Sequence, residues 1–364
     1  PLYSSAASDV YKRQVSSFLQ RMGRTGRRGD SKRNCLFLTT NDNAFLLALG
    51  ITQRWSEAWV EAAVPPEMPW PIVAQQAMVA TLERGELPSH ELTDVLSRSF
   101  PELPKNQIGE LVEHMVKVEY LDRSDAIVRV GPRLEREFGR GHFRDLLASF
   151  SGSMLLTGKH GSAEVGYIDP TVLTGEQENR LILLAGRSWR VTGIEWSKKT
   201  VWLEPAKEGG KARWMGGARS LSREVCQGIR TVLADGAPAL VTLSQRAKTA
   251  LQFLRDDMSI SAGRYFIASR PDEATVRTWT FAGTRANRTF ARNAAGTGSK
   301  VKFDALSVQA PASLLAPADG TQRELTEDEL SVFAEAIKFS SCLPRSLLAQ
   351  TVIARAFEVS DERV

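Results

Sequence analysis

The segment Val15–Asp30 reads VSSFLQRMGRTGRRGD and carries the most specific pattern in the chain. Its arginines Arg24 and Arg27 are three residues apart, so they share one face wherever the backbone is helical. Guanidinium groups form paired hydrogen bonds with phosphate oxygens, and the glycines Gly23 and Gly26 let another surface approach closely. The segment therefore predicts contact with phosphate groups, either at a specific site or through the nonspecific binding of a basic loop.

The eight residues Gln20–Arg27 match the pattern Q-x-x-G-R-x-G-R in full. This pattern resembles motif VI of superfamily 2 helicases, which lies on the second RecA-like lobe and faces ATP bound to the first lobe. The resemblance implies that Arg24 and Arg27 are catalytic residues that stabilise charge on the γ-phosphate oxygens. It also implies that Gln20 and Gly23 contribute to the ATP site, and that ATP is used together with Mg²⁺.

The sequence before this motif contains little of a helicase core. No G-x-x-x-x-G-K-[ST] phosphate loop and no D-E-x-[HD] box occurs in the 364 residues. Residues 1–14, PLYSSAASDVYKRQ, resemble a translated sequencing adaptor, which is a non-native tail; the alternative is a genuine unstructured N-terminus. We therefore expect residues 15–64 to be the end of a second RecA-like lobe, in the C-terminal part of a longer enzyme whose missing RecA lobes lie in cis. Within it, Asn34–Thr40 predicts a strand.

The composition indicates an ordinary soluble protein of two or three domains, because the 364 residues are 42% hydrophobic and 24% charged. The sequence has no apolar run of about 18 residues and no signal sequence, so no membrane association is expected. Its three cysteines and four histidines follow neither a disulfide framework nor a metal-ligand spacing. We expect reduced thiols, a cytoplasmic location and no metal site.

Positive charge is unevenly distributed along the chain, whose net charge is +5. One cluster of basic residues is the motif segment. The other is Arg264–Lys302, which contains eight basic residues and only two acidic ones, Asp272 and Glu273. The net charge permits a nucleic-acid partner but does not require one. The second cluster predicts either a phosphate-contacting face or a solvated helix surface.

A proline-rich linker at residues 65–71 separates the motif region from a predicted winged helix that extends to residue 136. Apolar spacing predicts three helices, at 72–84, 89–100 with Ser89 as N-cap, and 107–118. Two short strands, Tyr120-Leu121 and Ile127–Val130, would form the wing. The third helix carries several glutamates, which suit neither phosphates nor base edges, so we expect this domain to brace its neighbours rather than read sequence.

Residues 137–364 predict a further mixed domain. After a helical link at 133–150, strands are predicted in quick succession at 154–157, 163–168, 180–184, 188–196 and 200–204, which favours a curled antiparallel sheet or barrel. Further helices are predicted at 221–234, 243–256, 285–295, 327–339 and 345–357, and further strands at 265–268 and 276–282. The expected fold is a multidomain α+β protein with a remnant of a RecA-like α/β lobe, a winged helix, and a mixed β-barrel and helical domain.

Several blocks in this part resemble the large helicase-related (Lhr) family, in the family's order. They are FRDLLASF at 143–150, LAGRSWRV at 184–191, VWLEPA at 201–206, WTFAGTRAN at 279–287 and KFSSCLP at 338–344. The resemblance implies an ATP-driven translocase that moves 3′ to 5′ on single-stranded DNA, unwinds duplexes including RNA–DNA hybrids, and is linked to DNA repair. The chain departs from the family by lacking the first lobe and most of the second, so by itself it is expected to be inactive.

The tryptophans are predicted to have different roles. Trp214 lies in a loop rich in glycine and arginine, where it could stack on a base while Arg213, Arg219 and Arg285 contact nucleic acid; the alternative is a buried loop anchor. The remaining tryptophans suggest packing: Trp189 in the core, Trp196 against Trp202 across a hairpin, and Trp55, Trp59 and Trp70 between domains.

Two other function classes remain open beside the helicase interpretation. The chain could be a non-enzymatic nucleic-acid-binding module. An RNA helicase of the DEAD-box kind is disfavoured, because such proteins usually end soon after motif VI and here more than 300 residues follow it.

Overall fold

The structure, a computed structural model, describes residues 14–23, 35–39, 41–139, 142–147, 156–168, 181–184, 187–195, 198, 200–206, 220–258, 266–268, 276–295, 301–311, 324–334 and 337–358. Within them the chain is a mixed α+β protein, as predicted. It divides into two compact units. Unit 1 comprises Pro1–Pro65, Arg219–Arg323 and Ala356–Val364, and unit 2 comprises Pro66–Ala218 and Glu324–Arg355. Residues 137–364, assigned to one domain from the sequence, are therefore shared between the two units.

The helices and strands are numbered in chain order. The α-helices are α1 (Val15–Met22), α2 (Asp42–Ser56), α3 (Trp70–Arg84), α4 (Ser89–Ser99), α5 (Lys105–Lys117), α6 (Pro132–Phe138), α7 (Arg144–Leu147), α8 (Arg223–Asp235), α9 (Gln245–Asp257), α10 (Thr284–Ala295), α11 (Glu327–Ala334) and α12 (Arg345–Ala356). The strands are β1 (Glu86–Pro88), β2 (Leu121–Ser124), β3 (Ile127–Val130), β4 (Leu156–His160), β5 (Ala163–Ile168), β6 (Leu181–Leu184), β7 (Arg187–Glu195), β8 (Thr200–Pro205), β9 (Phe266–Ala268), β10 (Val276–Trp279), β11 (Lys302–Phe303) and β12 (Ser307–Ala310).

Unit 1 has a hydrophobic core to which α1, α2, α8, α9 and β10 all contribute. The helix α1 inserts Phe18, whose ring lies 5.6 Å from Trp55 in an edge-on arrangement and 5.4 Å from Phe37. The sheet of this unit has the order β11-β12-β10-β9. Strands β9 and β10 were predicted, whereas the short strands β11 and β12 were not.

The helices α2 and α8 cross at two glycines that allow very close packing. A Cβ atom added to Gly50 would lie 2.5 Å from Cγ1 of Ile229, and one added to Gly228 would lie 2.7 Å from the carbonyl oxygen of Gly50. Beside the crossing, Nε of Arg54 donates a 2.5 Å hydrogen bond to the carbonyl oxygen of Glu224. No larger residue fits at either glycine without moving a helix, so this crossing fastens α2 to α8.

The first part of unit 2 has the predicted three helices and hairpin. Apolar residues of α5 spaced three or four apart, among them Ile108, Leu111 and Met115, are buried. Strand β1 joins the hairpin, giving the order β1-β3-β2. The N-cap predicted at Ser89 is wrong, because Pro88 holds that position and Ser89 is the first helical residue. Pairing between β1 and β3 fixes the start of α4, since Pro88 lies opposite Ile127 and the Ser89 N–H donates to the Ala126 carbonyl oxygen at 2.8 Å.

The second part of unit 2 is a five-stranded sheet of order β5-β4-β8-β7-β6. The expectation of an antiparallel sheet is confirmed for three of its four strand pairings and is wrong for one, because β4 and β8 run parallel. The sheet curls, since Cβ positions built on Gly158 and Gly166 lie 3.0 and 3.3 Å from side-chain atoms of Leu184, which belongs to the far edge strand β6. The curl does not become a closed barrel within the described residues, because no strand pairing joins β5 to β6 there.

The segment Glu324–Arg355 completes unit 2 through polar contacts as well as apolar ones. The Trp70 indole N–H donates to Oε1 of Gln350 at 3.0 Å, and the buried Thr351 hydroxyl bonds the Met68 carbonyl oxygen at 3.3 Å. The Tyr120 hydroxyl donates to Glu137 at 2.7 Å and lies 2.7 Å from the Ser341 hydroxyl. These contacts tie the C-terminal segment to the three-helix region.

Several local predictions need correction. Cys35–Thr39 forms no strand, because no described segment pairs with it. The helix predicted at 327–339 is already absent at Ile337, and Phe339 has a left-handed backbone that a helix does not accept. Trp70 is fully buried inside unit 2, while Trp55 and Trp59 pack against the core of unit 1. Each of these tryptophans therefore packs within one unit. The prediction for Trp189 is confirmed, because it is 7% exposed.

Candidate functional site

The helix α1 carries the first residues of the glycine–arginine motif and is anchored in two ways. Val15, Phe18 and Met22 face the core and are buried. At the N-terminus, the backbone N–H groups of Val15 and Ser16 donate to the two carboxylate oxygens of Glu61, at 2.7 and 2.9 Å. A carboxylate at this position satisfies orphan N–H groups and interacts favourably with the helix dipole. Glu61 could not be predicted from the sequence, because a contact across 46 residues leaves no local pattern.

Two of the predicted nucleotide-contact residues are placed by the structure. Gln20 and Gly23 are exposed, Gln20 on the side of α1 away from the core and Gly23 at its C-terminal end. Gly23 has an ordinary helical φ of −64°, and a Cβ added there would meet only the carbonyl oxygens of Leu19 and Gln20, at 3.3 and 3.8 Å. Neither backbone strain nor packing against the described residues explains this glycine, which leaves an open surface beside it. Arg24 and Arg27 lie outside the described residues.

The basic cluster at 264–302 uses several of its arginines inside unit 1. Nε and Nη2 of Arg285 donate to the Phe357 carbonyl oxygen at 2.9 and 2.6 Å, and Nη1 of Arg288 donates to the Ala356 carbonyl oxygen at 3.1 Å. The Arg292 guanidinium lies 4.9 Å from the centre of the Phe357 ring. Burial lowers the pKa of Arg288. These three arginines of α10 hold the end of the chain, so the nucleic-acid contact predicted for Arg285 stays a prediction.

The other predicted nucleic-acid contacts, Arg213, Trp214 and Arg219, lie outside the described residues. So does Trp196, which was expected to pack against Trp202. The ladder places Gly193 opposite Trp202, after a register shift between Val191 and Gly193. Trp202 is consequently 39% exposed on the outer face of the sheet.

The exposed face of α5 is engaged by neighbouring parts of unit 2. Glu113 forms an ion pair with Arg123 of the hairpin. Glu110 accepts a 3.0 Å hydrogen bond from the Ser346 hydroxyl of the C-terminal segment. Burial, followed by the positive charge of Lys117, lowers the pKa of His114 on the same helix. The lower pKa disfavours a positive charge on His114. An acidic, partnered face is unsuited to phosphate contact, which supports a bracing role for this helix.

Among the described residues, no group of His, Cys, Asp and Glu side chains could hold a metal ion. None of the described helices has the length and apolar character needed to cross a membrane. Protein-family models, curated proteins and solved structures contain no match to this chain. Its chemistry is therefore inferred from its own residues.

Proposed function

We propose that this chain is the C-terminal part of an ATP-dependent DNA helicase of superfamily 2 that resembles the large helicase-related family. Its activity would be 3′-to-5′ translocation on single-stranded DNA, with unwinding of duplexes including RNA–DNA hybrids. The observation that carries the proposal is the complete Q-x-x-G-R-x-G-R pattern, which begins at Gln20 on the exposed side of the anchored helix α1. DNA repair and a cytoplasmic location belong to the same proposal.

Each part of the chain has a place in this proposal. Residues 15–64 are the end of a second RecA-like lobe, 65–136 are a winged helix, and 137–364 supply the barrel-containing region. The three helices and hairpin of unit 2 support the second assignment. The curled five-stranded sheet supports the third.

The segment Cys35–Thr39 supports the lobe assignment. Phe37 turns inward to Phe18, whereas Leu36 and Leu38 on either side are 80% and 78% exposed. Alternation of this kind is typical of a strand, yet no apolar surface among the described residues covers either leucine. A neighbouring sheet, supplied by the rest of the lobe, would pair with this segment and bury both leucines.

The proposed chemistry is electrostatic. During phosphoryl transfer the γ-phosphate oxygens carry negative charge, and guanidinium groups held close to them stabilise the transition state. Glu61 and the apolar face of α1 hold the helix from which Arg24 and Arg27 follow, while Gly23 leaves room for the opposing lobe. Mg²⁺ bound with the nucleotide would neutralise further phosphate charge. The sequence has no phosphate loop, so we expect no turnover from this chain alone.

The test joins this chain to a segment that carries the phosphate loop and the D-E-x-H box. We expect Arg27→Ala to lower DNA-stimulated ATP turnover by about 10³-fold or more, because the arginine acts on the transition state. Arg24→Ala should have a similar effect, and single-strand affinity should change little in both. The adjacent Arg28→Ala is the matched control, since it removes the same charge outside the motif pattern.

Two results would contradict the proposal. One is near-normal turnover by Arg24→Ala or Arg27→Ala in the joined enzyme. The other is DNA-stimulated ATP hydrolysis by the purified 364-residue chain above a protein-free blank. A chain that binds single strands, with no functional partner segment upstream in its gene, would instead be a non-enzymatic nucleic-acid-binding module, which the net charge of +5 permits.

A further inference from the structure

A groove lies on unit 1 where the chain passes from α8 to α9. Helix α8 ends before Gly236, whose φ of +97° turns the chain, and α9 begins after Ser244, whose hydroxyl accepts a hydrogen bond from the Ala247 N–H at 3.2 Å. The connection contains a turn in which the Val241 N–H donates to the Pro238 carbonyl oxygen at 2.9 Å. The groove between this connection and α9 has a volume of about 340 Å³.

The floor of the groove is apolar and continuous with the core of the unit. It is formed by Ala237, Val241, Leu243 and Leu251. Leu251 is 7% exposed and belongs to that core, against which Ala237 and Leu243 also pack. Leu240, which precedes Val241 in the turn, is 67% exposed and adds a large apolar side chain to the surface beside the groove. An exposed apolar side chain next to an apolar concavity is typical of a contact surface.

The rim of the groove is positively charged. Lys248, Gln252 and Arg255 line it and recur three or four apart, so they lie along one side of α9. Nη2 of Arg255 donates to the Ala234 carbonyl oxygen at 2.8 Å, a neutral partner. Within the described part of the chain, neither Lys248 nor Arg255 forms an ion pair. Because the Gln252 amide donates to the Asp256 carboxylate at 2.8 Å, the excess of positive charge is greatest at Lys248, one turn earlier.

The position of Lys248 on α9 adds to this excess. The first turn of α9 contains Arg246 and Lys248 and no acidic residue. Positive side chains are disfavoured there, because the N-terminal end of the helix dipole is itself positive. A carboxylate bound beside Lys248 would offset both charges. The groove therefore matches an anionic group joined to an apolar one.

We propose that this groove binds a short segment of a partner protein in which apolar side chains alternate with carboxylates. An apolar side chain of the segment enters the floor at Leu243 and Leu251, and a carboxylate pairs with Lys248. The volume is at the lower end of the roughly 300–1,000 Å³ of ligand pockets, which suits one or two anchoring side chains. A nucleic-acid backbone would use Lys248 but leave the apolar floor empty, so a peptide accounts for both features. This inference goes beyond the proposed helicase function and involves no residue of its motif.

The test measures binding of short fluorescein-labelled peptides to the 364-residue chain by anisotropy. The probe alternates glutamate with leucine. One comparison peptide has lysine in place of glutamate, and the other has serine in place of leucine. We expect the wild type to bind the probe, and to bind each comparison peptide at least about tenfold more weakly, because each retains only one of the two contacts.

Two pairs of variants assign the binding to the groove. Lys248→Glu should weaken binding of the probe by about tenfold or more, whereas the same charge change at Lys302, an exposed residue of β11 outside the groove, should leave it nearly unchanged. Leu240→Ala should weaken binding by a smaller factor. Its control is Phe253→Ala, which removes a 66% exposed side chain of α9 that does not line the groove.

The melting temperature separates loss of binding from loss of folding. Lys248→Glu places an acidic residue in the first turn of α9, where it is favoured, so the variant should melt no lower than the wild type. Weaker binding by a variant of unchanged or higher melting temperature supports the groove. A lower melting temperature would show that Lys248 has a structural role and would overturn the assignment.

Four further results would overturn the proposal. They are equal affinity of Lys248→Glu and the wild type for the probe, equally tight binding of the lysine peptide, failure of the wild type to bind any of the peptides, and a dependence on Lys248 seen only for oligo(dT), which would make the groove a phosphate contact. A dimer in light scattering that Lys248→Glu abolishes would make a second copy of this chain the occupant and would contradict it as well. ATP turnover by the joined enzyme is measured separately, so each proposal can fail without the other.

Discussion

The two units join distant segments of the chain by different physical means. In unit 1 the helices α2 and α8 meet at Gly50 and Gly228, where the backbones approach within van der Waals contact over an apolar core. In unit 2 the C-terminal segment is attached through side-chain hydrogen bonds, including those of Trp70 and Tyr120. The contact between α2 and α8 in unit 1 therefore tolerates no added volume, whereas the attachment of the C-terminal segment in unit 2 needs particular polar partners.

This difference predicts that the two units respond differently to substitutions and to pH. Close apolar packing is disturbed by any added volume but responds little to pH, because it contains few titratable groups. A buried polar network loses stability when one partner is removed, and also when a buried group must ionise. A substitution or a pH change can therefore destabilise one unit selectively. Hydrogen exchange measures the two units separately, through the amides of α2 and α8 for unit 1 and those of α3 and α12 for unit 2.

The largest effect is expected for Trp70→Ala in unit 2. Trp70 is 0% exposed and its indole N–H bonds Gln350, so its removal leaves a cavity and an unpaired amide. Large-to-small changes of this kind cost about 3–5 kcal/mol. Amides of α3 and α12 should lose most of their protection, while those of α2 and α8 keep theirs. Equal loss of protection in both units would contradict the division of stability argued above.

A smaller loss of stability, caused by added rather than removed volume, is expected for Gly50→Ala in unit 1. The added methyl group would lie 2.5 Å from Ile229 Cγ1 and 2.7 Å from the Val225 carbonyl oxygen, so the helices must separate. Overpacking of this kind costs about 1–3 kcal/mol, measurable as a lower urea midpoint for amides of α2 and α8.

The matched control is Gly109→Ala in α5 of unit 2. A Cβ at this helical glycine meets nothing within 4 Å, so alanine should stabilise α5 by up to about 1 kcal/mol. If the two alanine variants shifted stability in the same direction, the close approach at the α2–α8 crossing would be refuted.

The contrast also explains what could be predicted from the sequence. Helix α5 was predicted because its apolar residues, among them Ile108, Leu111 and Met115, recur on one side. Helix α2 was missed because the eight consecutive residues Phe45–Thr52 are all buried, which removes the amphipathic pattern. Long-range pairs such as Val15 with Glu61, or Trp70 with Gln350, leave no periodic trace in the sequence.

The candidate sites show the same limit. The motif at Gln20–Arg27 could be read directly, because its residues are adjacent in the chain. Trp202 was expected to pair with Trp196, since strict alternation across a short turn predicts that contact. The ladder instead begins with Glu195 opposite Thr200, and this register places Gly193 opposite Trp202. Alternation of apolar and polar residues does not fix where the turn lies, so it did not predict this pairing.

The smallest expected effect is a pH dependence confined to unit 2. Cys342 is 0% exposed, and burial, followed by the charge of Glu137, raises the pKa of its thiol to about 12. An unfolded cysteine has a pKa of about 8.5. Between these values the folded state binds more protons than the unfolded state, so the stability contributed by Cys342 is complete below about pH 8.5 and decreases as pH rises. Burial raises the pKa of Tyr120 as well, and its contribution has the same sign.

The measurement compares the wild type with Cys342→Ala in urea at pH 7.5 and pH 9.5, with hydrogen exchange assigned to α3 and α12. The alanine variant should have a lower unfolding free energy than the wild type at pH 7.5. This difference should be smaller by about 1.4 kcal/mol at pH 9.5, because only the wild type must keep a thiol protonated in the folded state. The same comparison in α2 and α8 should show no change, since Cys342 lies in unit 2. A disadvantage that is equal at the two pH values would mean that the thiol ionises in the folded protein as easily as in the unfolded chain. The polar network around Tyr120 would then be open to water, and the contrast between the units would be one of packing alone.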